Sequence, residues 1–539
     1  MEAQLAPEQD KIGLSQKVSA RLVAHRWLLV FAVLVIFGLH LSGLQKNLPF
    51  TPETDEPTRV LAALRMATSG DLNPGWFGHP GSTVIYPLAL IYHLWVWINR
   101  LTSASSLPLE LPATYNPALS EFYWLGRFLT ISYGLISIPL VYQVGRQAFG
   151  RQVGLVGTLF AILPVLTVSH TQLIRTDSAS TFFGLLSLYL CLKLNRQPSL
   201  ANQLKTGLAI GLAIATKYLM AALIPILMLI DLSILTRHWP LTKARTSPLL
   251  LNFSSGLLAI FCGFALSTPY FFLDYSTALA DITHEARNYH PGADGLTPPG
   301  NLWWYLTQAI PATFTWPLAV LVGLGVAIVL FKRQTPQLLL LGFVSIFLVG
   351  ISLSALHWQR WIIQVVPMLA LFAAHSLTQI SGGLARYWQL RPLTQQGLII
   401  LLVVLCSAWP VEHLISYTLR EARPSTRILA REWVLQHLPK GSKIAQEAYT
   451  APLDDTSYIT FNIFSLATSG HTLEAAYQDG FRYIIVSESI YSRYLAEPER
   501  YPAEVKLYQS LFAQGKLLQQ FEPSALRAGP LIQIYELNN

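Results

Sequence analysis

Two adjacent carboxylates, Asp55 and Glu56, follow the first long apolar segment of the chain and precede Pro57. Carboxylates at a membrane surface are costly, so they usually serve a function there. A carboxylate in this place can take the proton of an attacking hydroxyl, which is general-base chemistry. Alternatively, one acid caps the helix that Pro57 begins. We predict catalytic roles for both acids and keep the helix cap as the alternative.

A third acid, Asp177, stands directly before another apolar segment and follows His170 and Arg175. We expect Asp177 to join the first pair in one catalytic site, whereas a simple helix cap is the alternative. His79, a loop histidine, is a candidate for contact with a phosphate or a metal, although such residues are often structural. The metal candidates Asp55, His79 and His170 are too few and too scattered to argue for a cofactor, so a divalent metal stays open.

Two cations lie where apolar segments end. Lys217 occupies the tip of a hairpin over 206–235, and Arg360 lies between two apolar segments. Long basic side chains also occur at such places because they reach from the bilayer to water. Together with Arg175, they can neutralise a lipid phosphate, since exclusion of water strengthens such contacts.

The segment 268–301 is long for a connection between apolar segments, which is typical of a lid or an acceptor-binding loop. Its candidates are His284, Glu285 and Arg287, joined by His79 of the first loop. A solvated surface explains the same charges equally well.

The elements that must position these residues are membrane helices. Charged residues make up 12% of the 539 residues and hydrophobic residues 52%, which indicates a polytopic membrane protein. Apolar runs long enough to span a bilayer lie near 27–44, 122–143, 153–169, 178–192, 218–235, 249–267, 312–331, 336–354, 361–378 and 397–413, and a shorter run lies at 206–216. The basic residues behind the net charge of +8 cluster in turns on one side of the membrane, which explains the excess of positive charge. No nucleic-acid partner is therefore expected. The three cysteines lie inside apolar runs and indicate packing rather than disulfides.

Segment 81–99 decides the topology. Its Tyr and Trp residues suit a helix in the headgroup region. In that arrangement the basic turns face the cytoplasm and most acids face outward, as the positive-inside rule demands. We therefore predict about eleven spans in the plasma (inner) membrane, with a cytoplasmic N-terminus and an extracytoplasmic C-terminus. The alternative is that 81–99 is an ordinary span.

The composition changes near residue 420. Residues 1–419 form the predicted membrane domain, whose first outer loop, 45–121, contains interfacial helices, and residues 420–539 lack a further apolar run. The predicted elements of the second part are an amphipathic helix at 426–437, buried strands at 483–486 and 531–535, and a helix at 501–515. The expected fold is therefore an all-α polytopic membrane domain followed by a small extracytoplasmic α/β domain.

The order of these features resembles a known family. The features are an acidic pair after the first span, the loop GDLNP at 70–74, the turn GRQAFGR at 145–151, Asp177 before a Phe-Phe span, and GLAIATKY at 211–218. Over about residues 20–420 the set resembles the polyprenyl-phosphate-sugar-dependent glycosyltransferases of the C-type superfamily, among them the protein O-mannosyltransferases and lipid A aminoarabinose transferases of glycosyltransferase family 39.

The resemblance implies a sugar donor on dolichyl or undecaprenyl phosphate, an inverting transfer, Asp55 as the base and Asp177 as the acid of the second loop. The eukaryotic members carry a β-trefoil domain in an outer loop, whereas this sequence has a C-terminal α/β domain. The acceptor is therefore open among protein, lipid and polysaccharide. The sugar is a mannose-like residue or another hexose or pentose.

Two other classes of function remain. A secondary transporter would use the intramembrane charges as a pathway, but the sequence has no matching halves. A non-catalytic membrane scaffold would use its outer domain to bind a partner.

Overall fold

The computed structural model describes residues 38–48, 55–78, 80–101, 119–237, 243–285, 296–354, 356–453, 457–468 and 473–537. The helices of the membrane domain are α1 Glu56–Ser69, α2 Ser82–Leu101, α3 Ser120–Phe149, α4 Arg151–Ile162, α5 Val165–Thr171, α6 Asp177–Arg196, α7 Leu200–Thr216, α8 Leu223–Arg237, α9 Lys243–Ser267, α10 Tyr270–Leu273, α11 Tyr275–Glu285, α12 Pro298–Trp304, α13 Ile310–Lys332, α14 Thr335–Ser352, α15 Val366–Tyr387 and α16 Pro392–Glu421. Tight 3₁₀ turns at Tyr218–Ala222 and Gln359–Ile362 and a wider π-helical turn at Tyr305–Ala309 connect them.

The chain is a multi-pass membrane protein. In the part that the structure describes, six helical segments are long and apolar enough to cross a bilayer, and a bent pair makes a seventh if it counts as one span. The predicted runs at 178–192 and 206–216 form α6 and α7, whose more polar faces are buried inside the bundle. The run at 27–44 lies mostly outside the described residues, so the count of about eleven spans stays a prediction.

One predicted span, 153–169, is bent. It forms α4 and α5, which meet at an angle of 67°. Pro164 stands at the break, and proline there removes a helical hydrogen bond and disfavours a helical residue before it. The bend directs the chain from His170 to the first turn of α6.

Segment 81–99 forms α2, which packs against α1. Among the described helices, α2 is not one of those apolar enough to cross the membrane. Its first turn meets the end of α7, where the Thr83 and Thr216 hydroxyl oxygens lie 2.6 Å apart. Its predicted place in the headgroup region stays a prediction.

Several helix ends meet at one end of the bundle. Helix α6 begins at Asp177, α7 ends at Thr216, α14 ends at Ser352 and α15 begins at Val366. Helix α16 returns the chain to this same end, where the C-terminal domain follows. We call this the pocket end of the bundle.

The C-terminal domain is a three-layer α/β unit. Its helices and strands are α17 Thr426–His437, β1 Lys443–Glu447, β2 Ile459–Ile463, α18 Leu473–Gln478, β3 Phe481–Ser487, α19 Glu488–Leu495, α20 Pro502–Gln514, β4 Lys516–Phe521 and β5 Ile532–Glu536. The strand order is β2-β1-β3-β5-β4, with parallel pairs around β1 and antiparallel pairs around β5.

Alternation along β3 builds the core of this domain, because successive side chains of a strand point to opposite faces. Tyr483 and Ile485 pack with α17, whereas Ile484 and Val486 pack with the helices on the other face. The predicted amphipathic helix, both predicted strands and the predicted helix at 501–515 are confirmed within a few residues. Strands β1, β2 and β4 were not predicted.

Candidate active site

A cavity of about 360 Å³ opens at the pocket end of the bundle. The charged side chains that line it are Arg59, Arg175, Lys217 and Arg360 on the positive side and Asp55, Asp177 and Glu285 on the negative side. Among these charged side chains, four cations thus face three carboxylates, an excess that suits an anionic ligand.

Asp55 occupies the N-cap position of α1, yet its side chain makes no capping hydrogen bond. The carboxylate instead points into the cavity. Its Oδ2 accepts a hydrogen bond from Arg360 Nη1 at 2.6 Å and lies 3.1 Å from Arg175 Nη2. The helix-cap alternative for Asp55 is therefore wrong.

The charges around Asp55 control its ionisation. Burial raises the pKa of this carboxyl, but Arg175 and Arg360 outweigh burial and hold the pKa below its usual value. The side chain keeps 36% of its surface exposed. An ionised carboxylate that a ligand can reach is thus present in the cavity.

Glu56 does not share this environment. Its carboxylate is fully buried and accepts two hydrogen bonds from Arg127, at 2.9 and 2.8 Å, and a third from the backbone N–H of Ile174 at 3.1 Å. The predicted catalytic role of Glu56 is not what this geometry supports, because the side chain faces away from the cavity and its oxygens are occupied. Glu56 instead holds α1 against α3 and so positions Asp55.

Arg127 extends this structural contact. Its Nη1 donates to the backbone oxygen of Lys46 at 2.7 Å and to that of Leu44 at 3.2 Å. A single buried guanidinium therefore joins α3, the start of α1 and the segment that precedes the first loop.

Asp177 is the first residue of α6, one position after the N-cap residue Thr176. Its Oδ1 accepts hydrogen bonds from Lys217 Nζ at 2.9 Å and Gln364 Nε2 at 3.3 Å. His170 Nδ1 lies 3.7 Å from Oδ2. The side chain thus binds groups from three other segments, and the helix-cap alternative for Asp177 is wrong.

Lys217 and Arg360 both pair with acids in the cavity. Helix α7 ends at Thr216, and the extended backbone of Lys217 (φ −156°, ψ 120°) turns its side chain toward Asp177. Both cations have defined carboxylate partners. The alternative that these side chains merely extend from the bilayer into water therefore does not explain their positions.

Sequence analysis missed two residues of the site. Arg59 is buried in the cavity wall, and its Nη1 donates to the backbone oxygen of Asp55 at 2.9 Å. Helical spacing would have found it, because Arg59 lies four residues after Asp55 on the same face of α1. Gln364, which binds Asp177 and donates to Ser180 Oγ at 2.8 Å, had no comparable signal.

Residues 73–78 of the first loop cover one side of the cavity. Asn73 Nδ2 donates to Asp274 at 2.9 Å, and the backbone N–H of Phe77 donates to Asp281 at 2.8 Å. Tyr218 Oη donates to the backbone oxygen of Phe77 at 3.0 Å. The loop is therefore fixed to α10, α11 and the end of the α7 hairpin, with Trp76 and Gly78 in the cavity wall.

Only some of the residues predicted to bind the acceptor can be placed at the cavity. Glu285 of α11 lines the cavity, whereas its neighbour His284 is exposed and does not. His79 and Arg287 lie outside the described residues. The residues that the structure describes contain no group of three or more His, Cys, Asp or Glu side chains placed to hold a metal.

Comparison with known proteins gives a family match over part of the chain and a fold. Residues 120–262 match the family model described as dolichyl-phosphate-mannose-protein mannosyltransferase. No curated protein sequence matches the chain significantly. Among solved structures, the chain is similar to ArnT from Cupriavidus metallidurans in the apo state, with a TM-score of 0.53 and 15% identity over 95% of this chain and 98% of that chain.

A structure of the same protein bound to undecaprenyl phosphate gives a TM-score of 0.54 and 14% identity, with 95% of this chain and 98% of that chain covered. The archaeal oligosaccharyltransferase AglB from Archaeoglobus fulgidus gives a TM-score of 0.49 and 13% identity, with 91% of this chain and 73% of that chain covered. At such identities the likeness to ArnT shows the fold alone.

The helical membrane domain has the fold of the C-type glycosyltransferases, as the resemblance predicted, and a small sheet domain follows it. The family match covers helices α3 to α8 and most of α9, and so includes Arg127, Asp177 and Lys217. Fold and family match together indicate a membrane glycosyltransferase of the C type.

Proposed function

We propose that this protein transfers a sugar from a polyprenyl-phosphate donor to an acceptor hydroxyl at the extracytoplasmic face of the plasma (inner) membrane. The sugar is a mannose-like residue or another hexose or pentose, and the acceptor is a protein, a lipid or a polysaccharide. The observation that carries the proposal is the ionised Asp55 held beside Arg175 and Arg360 in a cavity that a ligand can enter.

The cations of the cavity suit the phosphate of such a donor. Arg175, Lys217 and Arg360 all reach the cavity with donor groups, and Arg175 Nε is a buried donor without a protein partner among the described residues. A guanidinium binds phosphate oxygens with two parallel hydrogen bonds, so Arg175 and Arg360 suit a phosphodiester. The bound undecaprenyl phosphate in the similar ArnT structure supports the same class of ligand.

The chemistry is a single displacement. The acceptor oxygen attacks the anomeric carbon while the bond from that carbon to the phosphate oxygen breaks, so the configuration inverts. Polyprenyl phosphate leaves with the electron pair, and its charge is met by Arg360, Lys217 and Arg175. Asp55 accepts the proton of the attacking hydroxyl, and Asp177 holds Lys217 in place.

The ends of the helices support the proposed orientation. Basic residues gather at the end opposite the pocket, where α3, α6, α13 and α15 finish; among them are Arg146, Lys193, Arg196, Lys332 and Arg386. The positive-inside rule places that end in the cytoplasm. The pocket and the C-terminal domain then face the outside. There a lipid-linked sugar can react with an acceptor, and no nucleotide-linked sugar is needed.

The test compares two substitutions of the same kind in the first loop region. Asp55→Asn keeps the size of the side chain but removes the base, so turnover of a polyprenyl-phosphate sugar in proteoliposomes should fall about 10²–10⁴-fold. Asp71→Asn changes an exposed aspartate whose Oδ1 only accepts the N–H of Asn73. That control should keep the wild-type rate.

Two results would contradict the proposal. A folded Asp55→Asn protein with near-normal turnover would remove the base assignment. A wild-type protein that reacts with no polyprenyl-phosphate sugar, yet couples ion flow to uptake in vesicles, would favour the transporter.

A further inference from the structure

The C-terminal domain contacts the segment that carries Arg360 through Arg493 of α19. Its guanidinium carbon lies 5.6 Å from the ring centre of Trp358, 5.7 Å from that of Phe464 and 5.9 Å from that of Tyr449. Arg493 Nε also donates to the backbone oxygen of Ser489 at 2.7 Å, which fixes the direction of the guanidinium. We call the arginine and its three rings the Arg493 cluster. The cluster joins the two domains, because Trp358 belongs to the membrane domain.

Trp358 directly precedes the tight turn Gln359–Ile362 that carries Arg360. From the membrane side, the backbone N–H of Trp358 donates to Tyr305 Oη at 3.3 Å, and Gln359 Nε2 donates to Thr313 Oγ1 at 3.1 Å. From the outer side, the segment meets the C-terminal domain through the Arg493 cluster. The position of the Arg360 side chain therefore depends on contacts from both domains.

Tyr449 has an unusual backbone for an aromatic residue. Its φ of 61° lies in the left-handed region, which is unfavourable for a residue with a side chain. Such a conformation persists where surrounding contacts require it. The Tyr449 ring faces Arg493, so this backbone conformation belongs to the cluster.

One buried carboxylate fixes the three segments that form the outer part of the cluster. Glu447, two residues before Tyr449, accepts hydrogen bonds from the backbone N–H of Leu466 at 2.8 Å and of Ser487 at 3.1 Å. Leu466 lies two residues after Phe464, whose ring belongs to the cluster. Ser487 immediately precedes α19. The cluster is thus built on the core of the domain and not on a mobile surface side chain.

We propose that the C-terminal domain positions Arg360 in the pocket through the Arg493 cluster, which gives this domain a part in binding the donor. Arg493 is a positioning residue, because it acts through Trp358 and touches no reacting atom. The nature of the ligand, a polyprenyl phosphate, rests on the proposed function. The positioning itself rests on the contacts of the cluster alone.

The first measurement is the affinity of the full-length protein in lipid nanodiscs for undecaprenyl phosphate. Arg493→Ala should weaken binding about tenfold, because the turn then holds Arg360 in its binding position for only a fraction of the time. The matched control is Arg482→Ala, which removes an equivalent contact in the same domain, 5.3 Å from the Tyr477 ring. The control should bind as the wild type does. Trp358→Leu, which leaves the C-terminal domain unchanged, should reproduce the loss.

The second measurement separates positioning from a general structural effect. If Arg493 acts through Arg360, Arg493→Ala should add no further loss in a protein that already carries Arg360→Ala. Losses that simply add would overturn the proposal.

The third measurement needs no ligand. Backbone hydrogen exchange over 356–362 in the unliganded protein should accelerate in Arg493→Ala and not in Arg482→Ala. Unchanged exchange in Arg493→Ala would overturn the proposal whatever the binding data show. A wild type that binds no undecaprenyl phosphate would contradict the proposed function instead, and the exchange rates would still decide whether Arg493 positions the turn.

Discussion

At Asp55 the two arginines that neutralise the carboxylate are also the groups best placed to bind a donor phosphate. When the phosphate engages Arg175 and Arg360, Asp55 loses part of the attraction that lowers its pKa and becomes a stronger base. Before the donor binds, these ion pairs spare Asp55, Arg175 and Arg360 the cost of isolated charges in the cavity. The resting ion pairs thus prepare the site for its ligand.

This arrangement predicts the pH dependence of activity. The reaction needs an ionised Asp55, so activity falls as the pH drops through the pKa of that carboxyl. Burial raises the pKa of Asp55, but Arg175 and Arg360 lower it by more than burial raises it. The acid limb of kcat/KM should therefore lie below the ordinary pKa range of an aspartate in the wild type. Arg175→Gln should move the limb to higher pH in a series of rate measurements, because one of the two charges that lower the pKa is then gone.

Arg151→Gln is the matched control for that prediction. It removes the same charge at the start of α4, at the opposite end of the bundle. The limb should not move in this variant. An acid limb well above about pH 5 that Arg175→Gln leaves in place would show that another group controls the rate.

At the scale of single residues, the chemistry could be predicted but the pairing could not. Asp55, Asp177, Lys217 and Arg360 were identified because charge is rare and costly near a bilayer. Glu56 was misassigned because its partner, Arg127, lies 71 residues further along the chain inside an apolar run. Adjacent acids in a sequence point in different directions at the start of a helix.

At the scale of elements, the contact between α1 and α3 depends on Glu56. Glu56→Ala leaves the buried Arg127 guanidinium without its carboxylate, which typically costs about 3–5 kcal/mol. The thermal midpoint of the protein in detergent should therefore fall strongly. The control is Glu121→Gln, an exposed acid of α3 whose carboxylate accepts from Trp95 Nε1 at 3.0 Å, and its midpoint should change little.

The opposite result has a clear meaning. A Glu56→Ala protein with wild-type thermal stability but no turnover would return Glu56 to the catalytic role that the sequence suggested. Loss of stability with turnover preserved in the folded fraction would confirm the structural role.

Helix α7 presents a second test of element packing. A Cβ atom at Gly211 would lie 2.7 Å from the backbone nitrogen of Phe264 and closer still to the backbone oxygen of Ile260, so α7 and α9 touch through bare backbone. Gly211→Ala should push α7 away from α9 and displace Lys217 at its end. Thermal stability and affinity for undecaprenyl phosphate should both fall, whereas Gly323→Ala in α13, where a Cβ meets nothing within 4 Å, should change neither.

Hydropathy predicted most helices because a chain in lipid must satisfy its backbone groups internally. It did not predict the break at Pro164, which interrupts an otherwise apolar run. Strands β2 and β4 were missed because they form the edges of the sheet and carry polar residues, as edge strands often do. Strand β1 was missed for a different reason, since its polar residue Glu447 is needed inside the domain.

At the scale of the whole molecule, the pocket is assembled from distant parts of the chain. Asp55 and Arg360 are separated by 305 positions, and Arg493 lies further still in another domain. The sequence could indicate that these groups share one face of the membrane, because loop charge sets topology. It could not indicate that the C-terminal domain packs on the turn that carries Arg360, since that depends on the shapes of two folded surfaces.

The C-terminal domain should respond to pH through Glu447. Burial raises the pKa of this carboxyl to about 7, although hydrogen bonds from Tyr508, Leu466 and Ser487 oppose the rise, against an ordinary value of 4.5. Between these two values the folded domain keeps a proton that the unfolded chain has released. Stability of the domain should therefore decline as the pH rises from about 4.5 to about 7, by roughly 3 kcal/mol at most, and then level off.

Hydrogen exchange of β3 in the full-length protein, corrected for the intrinsic effect of pH, measures this decline. Glu447→Gln cannot ionise, so its pH dependence through that window should vanish, whereas the exposed control Glu488→Gln should keep the wild-type slope. Stability that rises through the window, or a slope that persists in Glu447→Gln, would contradict the assignment.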